Sequence, residues 1–157
     1  MPSASTYINR RPLAQWDAIL APYNIGYRIK LLSQVLSRTF QERLEPFGLT
    51  LCHWVVLCCL WEEDGLPTSS IGERLQQVGG TLTGVLDRME ERGVVRRERD
   101  ERDRRIWRIW LTPAGKQLEE ELPSIAREIR EQAMAGLSRS EQEHLSQLID
   151  QAIANLS

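Results

Sequence analysis

The sequence predicts a mainly α (α+β) fold: a winged helix-turn-helix carried between longer N- and C-terminal helices. Three observations predict it. Apolar residues recur at offsets of three and four along most of the chain, the period of a helix with one buried side. That period gives way to strict alternation once, between Ile106 and Leu111, the period of a strand. The alternation follows a short amphipathic helix and the run RERDERDRR at 97–105, which is too charged to bury, so helix, strand, polar turn and strand succeed one another.

With 157 residues, 41% hydrophobic and 27% charged, the chain is long enough for one domain with a real core. No apolar run approaches the ~20 residues that span a bilayer. The opening MPSASTYINRRPLAQW has no signal-peptide centre, so a cytoplasmic protein with no membrane partner is expected. Residues 1–23 carry Pro2, Pro12 and Pro22 and are expected to form an irregular arm, with Trp16, Ile19 and Leu20 tucking it onto the body.

From 24 to 44, Ile25, Ile29, Leu32, Leu36 and Phe40 step by three and four, predicting a long first helix that ends at Pro46 and Gly48. Thr50 is the expected N-cap of a second helix over 51–63, with Trp54, Val55, Cys58 and Trp61 inward and Gly65 closing it. Cys52, Cys58 and Cys59 all fall in this helix, which is no disulfide framework. Cys52 and Cys59 share a face but stand ~10 Å apart along the axis at ~1.5 Å per residue, beyond a bridge. They are expected to pack as small apolar side chains. Oxidant sensing through Cys52, beside His53, stays open as an alternative.

A third helix is expected over 69–77, with Ile71 and Leu75 buried and Gly72 where it meets the next helix. Gln76 stands where a helix-turn-helix often has glycine and Gly79 comes late, so the turn is expected to be slightly long. In the following helix Leu82, Val85, Leu86 and Met89 share one side, leaving Thr81, Thr83, Gly84, Asp87 and Arg88 on the other, free to touch a partner. Gly93 stops that helix, because glycine takes the left-handed conformation without steric cost. Val94 and Val95 open a strand, and the returning strand alternates Trp107, Ile109 and Leu111 with Ile106, Arg108 and Trp110. Its first set is expected to lie wholly on the core.

From Arg96 to Arg108 there are seven arginines against four acids, a local excess of three in a chain of net charge −2. Arginine suits a phosphate or groove reader, because its planar fork binds two oxygens and is cheaper to desolvate than an ammonium. A solvated hairpin whose arginines pair with their own acids is the competing reading.

Thr112 and Pro113 start another helix, a hydroxyl cap followed by proline in the first turn. Leu118, Leu122, Ile125, Ile129 and Ala133 run down one side to an end near Gly136, and Pro123 is expected to kink it. A capping box, Ser138 with Glu141, opens the last helix, striped by Leu145, Leu148, Ile149, Ala152, Ile153 and Leu156. The small winged unit cannot cover all these stripes, so a homodimer interface is expected.

The combination of GLT at 48–50, SSIGERL at 69–75, TLTGVLDRMEERGVV at 81–95, DRR at 103–105 and LTPAG at 111–115 resembles the MarR-type winged helix-turn-helix transcriptional regulators, over residues 24–156. The resemblance implies dimerisation helices at about 24–45 and 113–156, a helix-turn-helix at about 68–91 and a wing at about 94–111. It implies a homodimer that places the helix of 80–91 in the major groove of double-stranded DNA and the wing in the neighbouring minor groove. Arg105 would then be the minor-groove reader, Asp103 would brace the wing or a neighbouring basic side chain, and Thr81, Thr83 and Arg88 would face bases and phosphates. The implied DNA-binding set is Thr81, Thr83, Gly84 and Arg88 with Arg102, Asp103, Arg104 and Arg105. Many relatives have a basic residue where this chain has Gly84, which shifts specificity toward DNA shape. The family's peroxide sensors use a cysteine near the start of the first helix, and this chain has none before Cys52. Many relatives also bind a small, often phenolic, ligand between the dimerisation helices and the winged unit; Tyr23, Tyr27, Arg28, His53 and Trp54 are the candidates to line that cleft.

The expected function is a homodimeric, sequence-specific repressor that reads a pseudopalindromic operator and is released by a small ligand. A winged protein-assembly module without DNA binding is the alternative from another class. An enzyme is not expected, and neither is a cofactor or metal. His53 and His144 are the only histidines, no HExxH or paired CxxC occurs, and GGTLTG at 79–84 opens a helix without a preceding strand.

Overall fold

The computed structural model describes residues 24–75 and 81–157; the expected arm and the turn between the third and fourth helices lie outside the described residues. Helix α1 spans Ile25–Leu44, with the Asn24 side chain accepting from the Tyr27 N–H at 2.7 Å. A 3₁₀ turn, Glu45–Phe47, leads to α2, Leu51–Glu62. Strand β1, Leu66–Pro67, precedes α3, Thr68–Leu75, and α4, Leu82–Glu91. Strands β2, Val95–Arg99, and β3, Trp107–Leu111, form the wing, followed by α5, Pro113–Ala133, and α6, Arg139–Ala154.

The sheet has three antiparallel strands in the order β1-β3-β2, one more than expected. Leu66 pairs with Ile109 and Pro67 with Arg108, so a two-residue strand too short to alternate closes the inner edge of the wing. Proline is tolerated there because it stands on an edge. Asp64 fastens the junction: its carboxylate accepts from the Gly65 N–H at 3.0 Å and the Leu111 N–H at 2.8 Å.

The core gathers Leu44, Leu57, Leu60, Ile71, Leu75, Met89, Ile109 and Leu122, all essentially without solvent contact. One expectation is corrected in α2. Trp54, Val55, Cys58 and Trp61 are half-buried, while His53, Val56, Leu57, Cys59 and Leu60 go inward. The helix is apolar on every side, so periodicity carries no information about which face is deepest. Its other side is occupied too, since Trp54 sits 5.1 Å from Phe40 and 5.7 Å from Trp61 between ring centroids, and the Trp61 indole donates to the Gly115 carbonyl at 3.1 Å.

Thr112 caps α5 as expected, its hydroxyl accepting from the Gly115 N–H, and the helix runs through Pro123 to Ala133, short of Gly136. Leu122, Ile125 and Ile129 are buried, and Arg43 of α1 pairs with Glu128 of α5. The Ser138–Glu141 capping box is present, yet α6 buries none of its residues: Leu148 is 54% and Ile153 58% exposed. On α1, Ile25 and Ile29 are 70% and 46% exposed. No single helix among the described residues is long and apolar enough to cross a membrane.

Candidate nucleic-acid interface

Helix α4 divides as its sequence divides. Val85, Leu86 and Met89 are buried and Leu82 is half-buried, while Thr81, Thr83, Asp87 and Arg88 are exposed and Gly84 is partly covered. Gly93 ends the helix at φ +70°, and the Val94 N–H bonds back to the Met89 carbonyl at 3.0 Å, so β2 leaves α4 at a fixed angle. At the same end the Arg92 guanidinium donates to the Gly48 carbonyl, tying α4 to the turn between α1 and α2.

The wing is locked to α4 through Arg97. Its guanidinium pairs with Asp87 and lies 3.6 Å from Glu90, while its backbone N–H donates to the Glu90 carboxylate at 3.1 Å. The other inner arginines are also held: Arg96 pairs with Glu98, Arg99 lies over the Trp107 ring, and Arg108 pairs with Asp100 and donates to the Gly65 carbonyl at 2.8 Å. Arg102, Arg104 and Arg105, all exposed at the wing tip, are in no ion pair among the described residues. The tip from Asp100 to Arg105 sums to zero formal charge, and the local excess of three comes from Arg96, Arg97, Arg99 and Arg108 against Glu98. The tip guanidiniums are nevertheless not paired with the hairpin's own acids among the described residues, which disfavours a self-neutralised hairpin.

The run at 97–105 is not uniformly solvated, which corrects the expectation for it. Asp100 is only 9% exposed, and its carboxylate accepts from the Arg102 and Asp103 N–H groups, both at 2.8 Å, as well as from Arg108. The hydrogen bond from Arg108, followed by those from the backbone of Asp103 and Arg102, pulls its pKa down to about 2. Asp103 accepts from the Arg105 N–H at 3.0 Å, so both acids fold the tip. The core-facing set of β3 is corrected in the same way: Ile109 and Leu111 are buried, but Trp107, at the tip end of the strand opposite Arg99, is 38% exposed.

The candidate ligand residues are not brought together. Tyr23 lies outside the described residues. Tyr27 and Arg28 sit in the first turn of α1, whereas Trp54 faces Phe40, about 20 Å further along that helix. His53 is 3% exposed and belongs to the capping box of α2, its Nδ1 accepting from the Thr50 N–H at 3.1 Å. A different cleft, about 300 Å³, opens between α1, α2 and α5, walled by Leu36, Phe40, Leu51, Ala126 and Ile129 with Arg130 at its rim. Leu36, Phe40 and Ile129 were legible as helix stripes, Leu51, Ala126 and Arg130 were not, and neither was the gap left between the stripes.

The model of the MarR family matches residues 49–107, from the start of α2 to the end of the wing turn. The organic hydroperoxide resistance transcriptional regulator of Bacillus subtilis is 34% identical over 116 residues, covering 74% of this chain and 76% of that protein. The chain belongs to the MarR family. Among solved structures, the Staphylococcus aureus MepR–DNA complex superposes with a TM-score of 0.77 at 26% identity, over 85% of this chain and 98% of that one. Bordetella bronchiseptica BpsR, whose DNA binding is regulated by 6-hydroxynicotinic acid, superposes with a TM-score of 0.71 at 26% identity, over 82% and 97%. These MarR-family relatives are transcriptional regulators rather than enzymes.

Within this MarR fold the cysteines of α2 are free. Burial, with Cys59 adjacent, pushes the Cys58 thiol up to about 11, the opposite of what a reactive thiolate needs. His53 is a pH-dependent part of the fold. Burial first, then the positive charge of Arg92 and Arg88, hold its pKa below the ordinary 6.5. The unfolded chain therefore takes up this proton before the folded one does. The contribution of His53 to stability is complete above about pH 6.5 and is lost as the pH falls below it. His53→Gln keeps an acceptor for the Thr50 N–H without a titrating group. It is expected to flatten the fall of melting temperature below about pH 6.5; an equally steep fall in the variant would place that dependence on another group.

Proposed function

We propose that the protein is a cytoplasmic homodimeric repressor that reads a pseudopalindromic operator and releases it on binding a small aromatic ligand. The observation that carries this reading is the placement of the arginines: Arg97 binds wing and α4 into one unit, beside which Arg102, Arg104 and Arg105 are in no ion pair among the described residues and Thr83 and Arg88 stand exposed. A major groove about 12 Å wide admits a helix such as α4, and a narrow minor groove attracts an inserted arginine such as Arg105. The DNA-bound state of MepR supports the same use of this fold. α1, α5 and α6 supply the dimer, and their uncovered apolar residues are its interface.

The regulation of BpsR by 6-hydroxynicotinic acid supports an aromatic hydroxy acid or phenol as the class of ligand. Such a ring fits the cleft against Leu36, Phe40 and Ile129, with an anionic group toward Arg130. Prising α1 from α5 moves the Gly48 turn, and the Arg92 contact passes that movement to the end of α4.

Salt titration of binding to the DNA flanking the protein's own gene, against a scrambled duplex, tests the reading. Specific binding with a steep salt slope and a two-lobed footprint about 10 base pairs centre to centre is expected. Equal binding to both duplexes, or none at low salt, overturns it in favour of a protein-assembly module.

A further inference from the structure

The wing carries two tryptophans on opposite faces, and only one has a structural task. Trp110 pairs across the ribbon with Arg96, and its ring lies over Gly65, at φ +78°, so closely that a Cβ there would stand 2.4 Å from the indole. It roofs the turn before β1. Trp107 pairs with Arg99, on the face shared by the Val95–Leu111 and Arg97–Ile109 pairs. That is the face Arg97 turns toward α4; Trp107 stands one pair further toward the tip on it and is 38% exposed. The Arg99 guanidinium is 3.8 Å from its ring centroid, and the same guanidinium donates to the Arg105 carbonyl at 3.4 Å.

A large apolar ring has thus been left in water beside a tip whose Arg102, Arg104 and Arg105 are in no ion pair among the described residues. The Arg105 backbone is held on one side by Asp103 and on the other by Arg99, which is itself steadied on the ring. Resting on the DNA-binding reading above, we propose that Trp107 is a further DNA-contacting residue. Its free surface lies against the deoxyribose rim of the groove that receives the wing, and Arg99 is a positioning residue that sets Arg105 from the occupied face. The wing as a whole, seven arginines against four acids from Arg96 to Arg108, favours a polyanion, and a sugar edge is the apolar surface a polyanion of this kind offers between its phosphates. An uncharged contact of this sort adds affinity without releasing counterions.

The test measures binding of the full-length wild type and of Trp107→Ala, Trp107→Phe, Arg99→Ala and Arg105→Ala to the footprinted operator across a range of salt. Trp107→Ala is expected to weaken binding on the order of tenfold, with the salt slope and the dimer unchanged. Trp107→Phe is expected to restore most of that loss. Arg99→Ala is expected to weaken binding alone and to add little in the Trp107→Ala background, because the two act through one unit. Should the alanine variant melt early, Trp107→Thr keeps a strand-forming residue while removing the ring, and the comparison is read from it. Wild-type affinity for Trp107→Ala together with a loss for Arg105→Ala overturns this inference and leaves the DNA-binding reading standing. A Trp107 variant that falls to monomer also overturns it, by placing the ring in a protein interface. Failure of the wild type to bind any duplex overturns both.

Discussion

Ile149→Asp combined with Ile153→Asp is expected to yield a folded monomer that no longer holds its operator. The two residues stand one turn apart on α6, 36% and 58% exposed, on a helix that buries none of its side chains within the protomer. Aspartate at either position therefore costs the isolated protomer little. In a two-fold interface the same pair appears twice, so four carboxylates would enter an apolar contact with Ile25, Ile29 and their neighbours. A standard interface of about 800 Å² per partner cannot absorb that desolvation.

Monomerisation removes the tether that makes the second half-site contact intramolecular, a gain of on the order of 10²- to 10⁴-fold in linked binders. Sedimentation velocity, circular dichroism and operator titration check the three parts of this expectation. A variant that remains dimeric with wild-type affinity would move the interface off α6. A variant that is dimeric but fails to bind would mean that α6 sets the spacing of the two α4 helices rather than the association itself.

What could be seen beforehand divides along physical lines. α4 and β3 were legible because each has one buried side and one wet side, so Val85, Leu86 and Met89 or Ile109 and Leu111 announce their period. α2 has no wet side, and its deepest residues, Val56 and Leu57, could be separated from Val55 and Cys58 only by tertiary packing. β1 has two residues, fewer than one cycle of alternation. Asp100 was counted as one more solvated charge, yet an aspartate opening a tight polar turn, with free N–H groups two and three residues on, is the signature of a side chain that folds the turn. The ligand candidates are a different case: Tyr27 and Trp54 are suitable residue types, but within one protomer the length of α1 separates them. The cleft that does exist is a failure of helices to meet, which no single stripe encodes.

Arg105→Ala is expected to leave the dimer and the melting temperature unchanged and to weaken operator binding about thirty- to a hundred-and-fiftyfold. The backbone at Arg105 is held independently of its side chain, by Asp103 on its N–H and Arg99 on its carbonyl, so truncation removes the guanidinium without loosening the tip. An interaction worth about 1 to 1.5 kcal/mol, counted once in each half-site, amounts to roughly 2 to 3 kcal/mol. The salt slope should also become shallower, by about one for each phosphate that is no longer neutralised. Arg96→Ala is the matched control. It removes the same charge from the same hairpin, but Arg96 is already paired with Glu98 and lies 5.8 Å from the Trp110 ring centroid, away from α4. If charge alone mattered, the two variants would weaken binding equally. If Arg105 reads the groove by its shape, Arg105→Lys should recover the salt slope and only part of the affinity, because an ammonium keeps the charge and loses the planar fork.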